Sequence, residues 1–216
     1  MNLPLFLLAT LALNLTPGPD MLYVIAQSVR QGRSAGVMSA LGIGGGTLVH
    51  MAALALGLST LLLSVPVAYD AVKYIGAAYL AYLGVRTLLS RRSTLGEDVD
   101  VEEPPDGVKK SKAVDYWGIF RQGAITNVLN PKVALFFIAF IPQFVDPAMG
   151  PVGWQVLLLG LIFNTSGILV NSGVALIAGT LGDKLRTSKR VSTIQRWFTG
   201  TVFIGLAVRL VWPAEK

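Results

Sequence analysis

No cysteine occurs in the chain, and histidine occurs once, at position 50. The first absence excludes disulfides, thiolate metal sites and thiol redox chemistry, and leaves the compartment open. The second excludes a histidine cluster, so together they remove the donors that a metal-ion or thiol-redox transporter would carry inside its helices. Charge is also scarce: Asp, Glu, Lys and Arg make up 14% of 216 residues against 53% apolar ones, and the mean hydropathy is +0.60. The length suits one domain, but this balance is that of an integral membrane protein. A net charge of +6 does not point to nucleic acid here, because the basic residues collect in short loops between apolar segments, where they report topology. Serines are plentiful, yet no motif places one beside His50, and no paired acids accompany a metal pattern, so no enzyme, cofactor or metal site is expected.

What is present is apolar length. A membrane helix needs about 20 apolar residues, and six segments qualify, at roughly 3–29, 37–63, 70–89, 116–145, 152–180 and 193–212. No Lys or Arg precedes Arg30, and no Ala-x-Ala pattern closes a short apolar run, so the first segment is expected to stay as a helix rather than serve as a cleaved signal. Residues 93–113 are acidic, then basic, with Pro104 and Pro105. They form the one evident linker, dividing a repeat over 1–92 from a second over 114–212 within a single transmembrane domain over 1–216. Such a tract cannot bury a core.

The first segment contains a break. Asn14, Leu15, Thr16, Pro17, Gly18, Pro19 and Asp20 follow one another inside an apolar run. The prolines remove two backbone donors and crowd the carbonyls of Leu13 and Leu15, while Gly18 loosens the chain between them. In lipid an opened backbone is tolerated only where protein or a water-filled cavity satisfies it, and a carboxylate at that depth is a functional candidate. Alternatively, Asp20 only complements the dipole of the restarted half-helix. The fourth segment repeats the theme with Asn127, Asn130, Pro131 and Lys132. Pro131 frees the carbonyl of Asn127, and Lys132 puts a cation where the new half-helix disfavours one. Either Lys132 has a task, or it pairs structurally with Asp20 or with freed carbonyls.

The second segment carries Gly42, Gly44, Gly45 and Gly46 ahead of His50. No strand precedes these glycines and no Lys follows, so they are not a phosphate loop; they should let helices approach closely. His50 is either an interior group or a contact for substrate or protons. In the fifth segment Asn164, Thr165, Ser166, Asn171 and Ser172 either bond across helices or line a passage.

Pro17 and Pro131 interrupt the first helix of each half, with Asn14 and Asn127 just upstream, so the halves read as repeats, and interrupted helices in matching positions point to a transporter site. Three helices per half make the repeats inverted. Arg30, Arg33, Arg86, Arg91, Arg92, Arg121, Lys184, Arg186 and the linker lysines then fall on one side, the cytoplasmic one, leaving both termini outside the cytoplasm.

The run from Thr16 to Asp20, the glycine-rich helix before His50, Lys73-x-x-Gly76-Ala77-x-Tyr79-Leu80-x-x-x-Gly84, and Asn130-Pro131-Lys132 with Pro142-Gln143-Phe144 together resemble the LysE/RhtB family of bacterial amino-acid exporters. The Pro-Gly-Pro-Asp form is more similar to the homoserine/threonine branch. The resemblance implies a small bacterial inner-membrane protein, often oligomeric, that expels surplus amino acids against protons. Asp20, Lys132 and the freed carbonyls would suit a zwitterion. The alternatives are an exporter of another small solute or cation, and a passive channel. The expected fold is all-α: six transmembrane helices in a 3+3 inverted repeat, the first and fourth broken at proline.

Overall fold

The computed structural model describes residues 3–64 and 114–185, plus single positions between 74 and 89 and between 193 and 208; for 58–64 and 181–185 the backbone alone is described. Helices α1 (Leu3–Leu15) and α2 (Pro19–Gln31) form the first bent pair. Proline occupies the first position of α2, where its missing N–H is no loss, and Asp20 lies in the first turn. Gly32 turns the chain into α3 at φ 90°, a conformation that favours glycine. Helix α3 (Arg33–Ser64) thus starts four residues before the expected 37.

The second bent pair opens with α4 (Tyr116–Val128), capped by Asp115, whose Oδ1 accepts from the Gly118 amide at 2.8 Å. After the break comes the short α5 (Pro131–Leu135), capped by Asn130 Oδ1 accepting from the Lys132 amide at 3.0 Å. A π-helical turn over Phe136–Phe140 and a 3-10 turn over Ile141–Phe144 follow, so the expected 116–145 helix is irregular beyond its proline break as well. A further 3-10 turn, Pro147–Met149, leads to α6 (Val152–Leu185).

The described residues are all helical, without strands. Two stretches, Arg33–Gly57 and Val152–Thr180, are each long and apolar enough to cross a membrane; counting each bent pair as one span raises the number to four. Both pairs bend by 51°. The expected helices at 70–89 and 193–212 lie outside the described residues except for isolated positions, and the 93–113 linker lies outside entirely. Two of those positions, Gly84 and Gly200, meet: a Cβ on Gly84 would stand 3.0 Å from the Gly200 carbonyl oxygen.

Glycine sets the central packing, as the second segment led one to expect. A Cβ at Gly42 would lie 2.2 Å from the Phe120 carbonyl oxygen, and one at Gly46 would lie 2.5 Å from that of Ala124. The pairing 42 with 120 and 46 with 124 means that α3 and α4 run parallel. Helices α2 and α4 run antiparallel, since Tyr23 bonds the carbonyl of Ile119 while Asp20, further back on α2, reaches Asn127, further on in α4. The largest core gathers Phe6 of α1, Phe136, Phe137, Phe140 and Phe144 beyond the second break, and Phe163 of α6. Phe136 stacks on both Phe140 and Phe163 at ring-centroid distances of 4.8 Å. Aromatic packing of this kind anchors the irregular segment against α1 and α6.

Candidate binding site

The two breaks come together. Asp20 is buried at 8% exposure, and its Oδ2 accepts from Asn127 Nδ2 at 2.8 Å. Asn127, in the last turn of α4, is a hub: its Oδ1 lies 3.3 Å from Thr47 Oγ1, and its main-chain oxygen lies 3.1 Å from His50 Nε2. That oxygen is the one Pro131 frees, and it also accepts from the Asn130 amide at 2.9 Å. A carbonyl only accepts, so His50 carries its proton on Nε2 in this arrangement. The imidazole also stacks on Phe137 at 5.9 Å.

Lys132 resolves its local misfit by reaching across to the other break. Its Nζ donates to the carbonyls of Thr16 at 2.9 Å and Leu13 at 3.3 Å. Leu13 supplies the acceptor that Pro17 leaves without its usual helical donor, and these oxygens end α1, where the dipole favours a cation. Of the structural partners open to Lys132, the freed carbonyls are the ones it bonds. Each break therefore presents an oxygen to a basic side chain from elsewhere in the fold. Asn14 ties the first break to α6, donating to Ser166 Oγ at 3.0 Å and to the Phe163 carbonyl at 3.4 Å.

Between α1, α2, α3, α4, α5 and α6 lies a cavity of about 20 Å³. Of the residues singled out from sequence, Asn14, Asp20, Asn127, Lys132 and Asn164 line it, and Leu13, Met21, Ile43, Val133, Phe163 and Ile168 supply apolar wall. That volume admits roughly one water, so the protein is closed around the site in this conformation. Pro17, Gly18, Pro19 and Pro131 shape the backbone without lining the cavity, although a Cβ on Gly18 would come within 3.2 Å of Lys132 Nζ. His50 stands behind Asn127, and Asn130 serves as a cap whose Nδ2 is buried without a partner; neither lines the cavity.

Thr16 of the first break and Asn171 of the fifth segment, both noted in the sequence, also line the site, as does Thr47, which was not. Thr47 is masked in the sequence by its glycine neighbours; its position three residues before His50, on the same helix face, is the available signal. Asn171 lies seven residues after Asn164, so the two share a face of α6. Among all these groups two acceptors, Asp20 Oδ1 and Asn171 Oδ1, are buried with no hydrogen-bond partner among the described residues.

One carboxylate, one ammonium and several amides gathered at two helix breaks are complementary in charge to a small molecule bearing both charges, although the cavity as it stands admits no more than a water. The sequence matches the family model described as LysE type translocator over residues 11–213, and the chain belongs to that family. It is accordingly a transporter, not an enzyme. Among similar proteins, an uncharacterized membrane protein of Pseudomonas aeruginosa is 33% identical over 205 residues, covering 95% of this chain and 92% of its own. The leucine efflux proteins of Salmonella choleraesuis and Salmonella typhimurium are each 27% identical over 205 residues, with the same coverage. No solved structure matches.

Proposed function

We propose that this protein exports small neutral amino acids across the bacterial inner membrane by proton antiport, through six helices in a 3+3 inverted repeat with both termini outside the cytoplasm. The observation that carries the reading is the meeting of Asp20, Asn127 and Lys132 where two equally bent helices cross. The antiparallel course of α2 and α4 supports inversion of the halves. Among the described residues, Asp20 and Lys132 are the only charged side chains on the cavity wall. A zwitterion matches one acid and one base, whereas a lysine or glutamate substrate would bury an extra charge with no partner. Homoserine and threonine, favoured by the form of the first break, and leucine, named in two relatives, all satisfy that condition.

Coupling follows from electrostatics. Ionised Asp20 attracts the substrate ammonium, and protonated Asp20 does not, so proton and amino acid exclude each other at one carboxylate. Lys132 is held by carbonyls in the closed form and exchanges them for the substrate carboxylate when the cavity opens. The test is uptake of labelled leucine, threonine, homoserine and lysine into inside-out vesicles with an acidic lumen. Uptake of neutral members that collapses with the pH gradient is expected. Equal uptake without a gradient would overturn antiport in favour of a passive channel, and no uptake of any amino acid would overturn the reading itself.

A further inference from the structure

We infer that Asn171 is the second half of an ammonium subsite, its side-chain oxygen holding the substrate's N–H groups together with Asp20 Oδ1. The inference rests on the exporter reading and adds a residue and a chemistry to it. Both residues line the same cavity, both are more than nine-tenths buried, at 8% and 6% exposure, and neither side-chain oxygen has a hydrogen-bond partner among the described residues. A buried acceptor left without a donor is costly, and here two occur on one wall. Three of the donors at hand are committed elsewhere: Asn127 Nδ2 to Asp20 Oδ2, Lys132 Nζ to Thr16 and Leu13, and Asn14 Nδ2 to Ser166 and Phe163. The cavity wall therefore has two open acceptors and calls for an occupant that donates in two directions.

A primary ammonium does that with two of its three N–H groups, leaving the third for a neighbouring oxygen. A carboxylate or halide, which only accepts, would meet two oxygens and be repelled. The two oxygens lie on different elements, α2 and α6, so the occupant would bridge the broken helix to the long one. An amide can also be built turned end for end, which would offer Nδ2 instead of Oδ1. The two orientations make opposite forecasts for one substitution: Asn171→Asp keeps an acceptor and removes the donor, while Asn171→Leu keeps the size and removes both.

The experiment measures inhibition of labelled leucine uptake in inside-out vesicles by two analogues. Leucinamide keeps the ammonium and lacks the carboxylate; 4-methylpentanoate keeps the carboxylate and lacks the ammonium. For Asn171→Leu, inhibition by leucinamide should weaken roughly tenfold or more, the scale of a lost hydrogen bond to a charged group. Inhibition by 4-methylpentanoate should stay as in the wild type, and Asn171→Asp should keep inhibition by leucinamide. Parallel weakening of both analogues in Asn171→Leu would mean structural damage and overturn the inference, as would weakening confined to Asn171→Asp. Unchanged leucinamide inhibition in both variants would also overturn it while leaving the exporter reading standing. Wild-type vesicles that take up no amino acid would remove that reading and this inference together.

Discussion

At the scale of single residues, the site depends on oxygens that proline leaves behind. Asp20, Asn127 and Lys132 were legible in the sequence because each stands at a fixed offset from a proline whose consequences are local. Their partners were not legible, because the contacts of Asp20 with Asn127 and of Lys132 with Thr16 join residues more than a hundred positions apart. Asp20→Asn keeps an acceptor for Asn127 Nδ2 and removes the charge, imitating the protonated form. It should abolish gradient-driven uptake and weaken amino-acid binding by about 10- to 100-fold, the loss of a charge-assisted bond, measured by vesicle uptake and by equilibrium binding to purified protein. Retention of wild-type uptake with unchanged pH dependence would reduce Asp20 to a helix-start residue and turn attention to His50. Lys132→Gln should weaken leucine while sparing leucinamide, which has no carboxylate to lose. Equal weakening of the two ligands would show that Lys132 only ties the two breaks together through Thr16 and Leu13.

At the scale of elements, the breaks and the glycine seam were readable, and the segment beyond Pro131 was not. Proline removes a donor whatever surrounds it, so both interruptions follow from composition. The π-helical turn over Phe136–Phe140 has no such marker; it accompanies the packing of four phenylalanines against Phe6 and Phe163, a tertiary effect. Alanine at both Pro17 and Pro19 restores two N–H groups; that of residue 17 then competes with Lys132 for the carbonyl of Leu13, and that of residue 19 can bond the carbonyl of Leu15. The first bent pair should straighten, transport should fall, and the protein should still insert; wild-type uptake by the double variant would show that the bend is dispensable. Gly46→Val places a branched side chain where a Cβ alone would stand 2.5 Å from the Ala124 carbonyl and 2.8 Å from Asn127 Cβ. Overpacking against backbone costs about 1–3 kcal/mol or more, so the melting temperature in detergent should drop along with uptake. An unchanged melting temperature would mean that α3 and α4 are not in contact at this level.

At the scale of the whole molecule, direction is fixed by which helix ends share a side. The groove formed by Arg33 and Val37 of α3, Tyr116 of α4 and Leu176 of α6 brings together the starts of α3 and α4 and the later part of α6. The basic residues Arg30, Arg33 and Arg121 belong to that end, which is the ground for proposing that it is the cytoplasmic one. Helix α2 runs toward it, α3 and α4 run away from it, and α6 returns. In the proposed topology α3 and α4 start on the same side because the span expected from the sequence at 70–89 lies between them. The same proposal has a sixth span, expected from the sequence at 193–212, carry the C-terminus out of the cytoplasm. Charge and helix direction are the grounds for proposing six spans, of which up to four are present among the described residues. A reporter fused after Trp212 should therefore read as periplasmic, and one inserted in the 93–113 linker as cytoplasmic. A cytoplasmic signal after Trp212 would mean that one segment does not span; with an odd number of crossings the inverted repeat is lost, and the correspondence of Pro17 with Pro131 would then have to be explained by each break's own packing.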